Sequence, residues 1–145
     1  MSVGRICVRE VDTVDPEETV QVAAERMHSR NVGTLIVIGR GREPVGIITD
    51  RDVTVKVVAR GRDTLNTCVD EVMSALPKCV REDASIESAL TVMRSGPFRR
   101  IPVVDHDGKL VGLLSLDDIL DLLAEEFGAI GALLRQESPK ALAET

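Results

Sequence analysis

Two short stretches of this chain set a hydroxyl three residues ahead of a carboxylate: Thr49-Asp50-Arg51-Asp52 and Ser115-Leu116-Asp117-Asp118. Each follows a glycine and two apolar residues, Gly46-Ile47-Ile48 and Gly112-Leu113-Leu114. Such a pattern suits a strand that ends on a helix N-terminus, where free N–H groups and the positive dipole end favour an anion such as phosphate. The hydroxyl can bond a phosphate oxygen. The carboxylate, one turn inside the helix, can accept from the two adjacent hydroxyls of a ribose. The glycine lets backbone or ligand approach closely. The same spacing is also a capping box, which serves only the helix's own donors. Taken alone, each motif leaves both readings open.

The elements that must position these residues also come twice. Val14 to Val53 laid over Val80 to Ile119, 66 residues on and without a gap, gives eight identities, among them Gly46/Gly112 and Asp52/Asp118. Two copies of a unit too small to bury a core alone are expected to stack, and the cleft where they meet is the place to seek a small-molecule site.

Each copy reads strand–helix–strand–strand–helix after a short lead-in. Short extended segments are expected at Thr13-Val14 and Cys79-Val80. Val20, Ala23, Ala24 and Met27 fall at helical spacing, as do Ile86, Ala89, Leu90 and Met93. Pro16, Glu17 and Glu18 suit the helix entrance, with Thr19 and Ser85 as caps. Thr34 to Ile38 and Arg100 to Val104 are apolar and rich in branched residues, as buried strands are. Glycine-containing polar turns join them to Val45–Ile48 and Val111–Leu114 as antiparallel hairpins. Closing helices are predicted over Asp50 to Arg60, stopped by Gly61, and over Asp117 to about Arg135. The sequence divides into a first unit at 2–61, a linker at 62–67, a second unit at 68–127, and a helical extension and tail at 128–145. The last stretch, Gln136 to Thr145 with Pro139, is expected to fray.

Composition narrows the function. The formal net charge of −6 argues against general nucleic-acid binding, which needs a basic surface. Phe98 and Phe127 are the only aromatic residues, so no platform exists for stacking several bases. A nucleobase must be held by aliphatic side chains and backbone. Cys7, Cys68 and Cys79 are odd in number and lack CxxC spacing, which predicts packed, reduced thiols and no dedicated zinc site. No apolar run approaches the roughly 20 residues of a membrane span, and no signal peptide is recognised, so a cytoplasmic location is expected. The run Ile119 to Leu134 is more apolar than one core face requires, which predicts a homodimer interface.

The repeated pattern apolar-x-Gly-apolar-apolar-Thr/Ser-x-x-Asp, preceded in the second copy by Phe98-Arg99-Arg100-Ile101-Pro102-Val103-Val104-Asp105, resembles the cystathionine-β-synthase-type (CBS) domain. Two in tandem resemble a Bateman module, over residues 2 to about 127. The resemblance implies an α/β fold, two βαββα repeats packed through their sheets with pseudo-twofold symmetry. It also implies a non-catalytic regulatory module binding AMP, ADP or ATP between the repeats, with S-adenosylmethionine or NAD as lesser candidates and no required cofactor. Carried over by position, Asp52 and Asp118 would hold ribose, and Thr49 and Ser115 would lie near phosphate. Thr13, Val14, Cys79 and Val80 would border adenine. Arg99 and Arg100 are candidate phosphate contacts, and equally ordinary surface arginines.

The copies differ where it matters. Arg51 stands in the first motif where the second has Asp117, and Arg99-Arg100 replace Gly33-Thr34. Two unequal sites are therefore expected. The alternative is a degenerate pair that serves only as a dimerisation or protein-interaction scaffold. An effector protein, of unknown identity, would read the ligand-bound state.

Overall fold

The computed structural model describes residues 1–75, 78–96 and 99–136. Phe98 of the second motif and Pro139 of the tail lie outside these. Strand β1 (Thr13–Val14) leads into helix α1 (Val20–Arg30), then the hairpin β2 (Thr34–Ile38) and β3 (Pro44–Thr49) and helix α2 (Asp50–Asp52). After β4 (Ser74–Ala75) the plan repeats as β5 (Val80–Arg81), α3 (Ile86–Arg94), β6 (Arg100–Val104), β7 (Leu110–Ser115) and α4 (Leu116–Gln136). The expected caps form: Thr19 accepts from the Val22 amide at 3.2 Å, and Ser85 from the Ser88 amide at 3.1 Å. Among the described residues no helix is long and apolar enough to cross a membrane.

Within each repeat the short first strand runs parallel to the next, and the hairpin pairs antiparallel, Leu35 opposite Ile48 and Ile101 opposite Leu114. The sheets are ordered β1-β2-β3-β4 and β5-β6-β7. Two cores result, one around Leu35, Val37 and Ile48, the other around Ile101, Val103 and Leu114.

The lead-ins are exchanged. Val3 and Cys7 from the start of the chain pack in the second core, while Val69 and Val72 from mid-chain pack in the first. Val8 pairs with Leu113 of β7 through two 2.9 Å backbone bonds, and β4 pairs with Gly46 and Ile47 of β3. This exchange explains the motif glycines. A Cβ at Gly112 would stand 2.7 Å from the Cys7 sulfur and 3.0 Å from the Val8 carbonyl oxygen; one at Gly46 would strike Met73. The close neighbour is the exchanged lead-in.

Helix α2 departs from the regular helix predicted over Asp50 to Arg60. It is α-helical for three residues and continues as a π-helical turn over Val53–Val58, with the Ala59 amide donating to the Thr54 carbonyl. Four valines and a threonine in six residues give weak α propensity, and the Thr54 hydroxyl bonds back to the Asp50 carbonyl at 3.1 Å. Gly61, at φ 66°, ends the helix as expected. The following segment is pinned to α1, for the Thr64 and Thr67 carbonyls accept from the first amides of that helix.

Candidate functional site

A cavity of about 330 Å³ opens between the two repeats. The first contributes Val32, Gly33, Thr34 and Ile36, from the turn after α1 and from β2; the second contributes Arg100, Leu113, Ser115 and Asp118. The remaining wall is Val8, Glu10, Val11 and Asp12, the crossing segment that leaves β7 at Val8 and enters the first sheet at β1. A second cavity of about 300 Å³ is bounded by Arg99, Arg100, Ser115, Leu116 and Asp117. Arg100 and Ser115 border both. Together they offer an apolar slot with carboxylates next to a pair of guanidinium groups at the start of a long helix.

The two hydroxyl–carboxylate motifs occupy corresponding positions and differ in how their groups are spent. In the first, Asp52 Oδ2 accepts from the Thr49 amide at 2.9 Å and from the Thr49 hydroxyl at 3.1 Å, while Thr49 Oγ1 accepts from the Asp52 amide. Its other oxygen, Oδ1, pairs with Lys56 Nζ at 3.1 Å, and that ammonium also donates to the Val72 carbonyl. Asp52 is a completed capping box with an added ion pair. In the second, Asp118 Oδ2 accepts from the Ser115 amide at 2.9 Å and Ser115 Oγ accepts from the Asp118 amide at 3.1 Å. Among the described residues, Asp118 Oδ1 takes no hydrogen bond or ion pair and the Ser115 hydroxyl donates to none. Leu122 stands where the first repeat has Lys56.

The helix starts differ likewise. In the first repeat the Asp50 carboxylate crowds Gly33, whose carbonyl accepts from the Asp50 amide. In the second the same backbone bond joins Leu116 to Arg99, so that an arginine and a leucine replace a glycine and an aspartate. The first helix start sets Asp50 beside Arg51, whereas at the second the exposed Arg99 and Arg100 border one cavity with Asp117, and Arg100 borders the other with Glu10, Asp12 and Asp118.

The other sequence-predicted residues fall elsewhere. Val14 and Val80 are buried in the two cores, and Thr13 lies in β1 with its carbonyl accepting from Arg26. Cys79 is half-buried, and burial pushes its thiol up, away from the reactive thiolate. None of these four lines the cavity. The wall expected of Thr13 and Val14 is formed by Val8 to Asp12, because the exchanged lead-in carries that segment across the cleft. The counterparts of these residues are 74–78, of which 76 and 77 lie outside the described residues. Burial also raises the Cys7 thiol, with partial opposition from Arg9.

Two clusters have metal-ligand chemistry, Cys68 with Asp70 and Glu71, and Asp105 with His106 and Asp107. Local structure already uses one carboxylate of each cluster: Glu71 accepts from the Cys68 amide and pairs with Arg62, and Asp105 accepts from the Asp107 and Lys109 amides.

The model of the CBS domain matches residues 3–59 and 69–125. A Methanopyrus kandleri protein, MK0525, is 35% identical over 122 residues, which is 84% of this chain and 62% of that protein, so the chain spans less than two thirds of its length. The CBS domain-containing protein YhcV of Bacillus subtilis is 38% identical over 81% of this chain and 82% of its own. Among solved structures, CBSX2 in complex with AMP is 28% identical, with a TM-score of 0.70 over 86% of this chain and 96% of that one.

Proposed function

The chain belongs to the CBS domain family, and from that premise we propose that it is a regulatory module whose second repeat binds an adenosine nucleotide in the inter-repeat cavity. One observation carries this reading: Asp118 keeps an unspent carboxylate oxygen, beside a serine hydroxyl, on a cavity that both repeats enclose. Asp118 holds the ribose diol, and Val8, Val11, Val32 and Ile36 supply aliphatic walls for a base. Arg99, Arg100 and the Ser115 hydroxyl take the phosphate in the adjoining cavity. Glu10, Asp12 and Asp117 weigh against a long phosphate tail, which makes AMP the first candidate over ADP and ATP. The relative's complex with AMP supports the same ligand class.

The mechanism is differential binding. The cavity walls come from both repeats and from the segment that joins their sheets, so a ligand that touches all three favours one relative arrangement over others. An effector protein reads that arrangement. In this reading the ligand is bound and released unchanged, and the module acts by regulation and not by turnover. A pure scaffold is favoured only at the first motif, where Asp52 is consumed by its own helix.

Thermal shift with adenosine, AMP, ADP, ATP, S-adenosylmethionine and NAD tests the reading, since a ligand of the native state raises Tm. AMP is expected to raise it in the wild type and in Asp52→Asn, and to fail in Asp118→Ala. Silence across the panel overturns the sensor and leaves the scaffold.

A further inference from the structure

The nucleotide mode proposed above leaves two carboxylates on the inter-repeat cavity unassigned, Glu10 and Asp12. Asp118, Ser115 and Arg100 belong to the second repeat, whereas Asp12 stands where the crossing segment enters the first sheet. Of the two, Asp12 is the fixed one. Its carbonyl accepts from the Ile36 amide at 3.0 Å, and its Oδ1 accepts from Arg30 Nε at 2.8 Å. Strand β2 and the last turn of α1 therefore hold it from two sides. Its side chain is only 19% exposed, whereas Glu10 is exposed and enters no hydrogen bond or ion pair among the described residues. Among the same residues Asp12 Oδ2 accepts no hydrogen bond, and no side-chain oxygen lacking a partner is sealed from solvent. That oxygen is open to a ligand. The device occurs on one side of the pair only: Lys78 and Gly96 stand at the positions of Asp12 and Arg30 in the second repeat, and Lys78 Nζ donates to Ser95 Oγ at 3.1 Å.

An ionised carboxylate accepts hydrogen bonds and donates none. Purines differ in what they offer such a group. Adenine carries an amino group at C6, with two N–H donors; hypoxanthine and guanine carry a carbonyl there, whose lone pairs a carboxylate repels. We propose that Asp12 is the base-selecting residue of this cavity, its Oδ2 accepting from the 6-amino group so that 6-aminopurine nucleotides are favoured over 6-oxopurine ones. The proposal rests on the nucleotide reading above. With the ribose diol on Asp118, the base runs along Val11, Val32 and Ile36 toward Asp12. Guanine has donors of its own at N1 and C2, which a carboxylate with both oxygens open would take as a pair. Arg30 engages one of the two and breaks that match.

Calorimetry with AMP, IMP, GMP and purine riboside 5′-monophosphate, which bears only hydrogen at C6, tests the assignment. The wild type is expected to bind AMP about tenfold tighter than each of the other three, the worth of one hydrogen bond to a charged group. In Asp12→Asn the amide can turn a donor toward a 6-carbonyl, and the preference for AMP over IMP should fall to about threefold or less. Asp118→Asn should weaken AMP and IMP by the same factor, because both carry the same ribose, and leave their ratio intact. A wild type that binds IMP or GMP as tightly as AMP overturns base selection by Asp12 while the nucleotide site stands. So does a preference that survives Asp12→Asn. A wild type that binds none of the four overturns the nucleotide reading and this assignment with it.

Discussion

Lys56 reaches back one helical turn to Asp52, Nζ to Oδ1 at 3.1 Å, and so takes from the first repeat the carboxylate oxygen that Asp118 keeps in the second. The pair is about two-thirds buried at the lysine and more at the aspartate, and Lys56 is held in place by the Val72 carbonyl. Two copies of one motif thus do different work: the first closes a helix, the second faces a cavity.

The corresponding substitutions should separate the two roles. Asp52→Ala removes a capping box and an ion pair, and is expected to cost about 1–2 kcal/mol of stability, read as a Tm several degrees lower, with nucleotide affinity unchanged. Asp118→Asn retains an oxygen to cap Ser115 but loses the charge that the proposed mode offers to a ribose. AMP affinity should fall about tenfold to a hundredfold at nearly unchanged Tm, by calorimetry. Equal effects in both variants would contradict the division.

Much of this was readable from residue order. The helical spacing of Val20, Ala23 and Met27, the caps Thr19 and Ser85, and the hairpins Thr34–Ile48 and Arg100–Leu114 are local properties, and they formed as expected. The ion pair was legible too, since Asp52 and Lys56 stand four apart and Leu122 replaces the lysine in the second copy; comparing the repeats beyond the motif would have exposed it. The exchange of lead-ins was not legible. It is a contact between residues about a hundred apart, Val8 with Leu113, and an apolar lead-in matches either core equally well. That exchange moved the cavity wall from Thr13 and Val14 to Val8–Asp12, and gave Gly46 and Gly112 a packing role. The π turn after Asp52 also escaped, because a valine-rich run tells of weak α propensity without telling which alternative ladder replaces it.

Gly112→Ala is expected to destabilise the second unit by about 1–3 kcal/mol, as overpacking does, because one of the two clashing atoms is the Val8 carbonyl oxygen, fixed by its bridge to Leu113. Urea denaturation measures the loss. Cys7→Ala in the same chain should recover only part of it, because the carbonyl clash persists.

Acid should weaken the first unit through Glu18. Two hydrogen bonds from Arg26 at 3.0 and 3.1 Å hold its carboxyl below the ordinary value of 4.5, and the Asp15 amide adds to the effect. A carboxylate whose pKa is depressed on folding stabilises the native state above the unfolded value and loses that contribution as pH falls through the folded one. Glu18→Gln should therefore lower stability near neutral pH, and the deficit should shrink once the pH drops below 4.5. Denaturant midpoints collected from pH 7 downward check the sign; a deficit that grows on acidification would refute it.

Arg100 borders both cavities, which in the proposed mode take the nucleoside and the phosphate. If its guanidinium meets the phosphate, Arg100→Ala weakens AMP about tenfold and leaves adenosine unaltered, a charge-assisted bond being worth roughly 1.5 kcal/mol or more. Added salt should then reduce the wild type's preference for AMP over adenosine, since the arginine is exposed to solvent. Titrating both ligands against both proteins at two ionic strengths decides the matter: equal losses for adenosine and AMP would move Arg100 from the phosphate to the walls of the nucleoside slot.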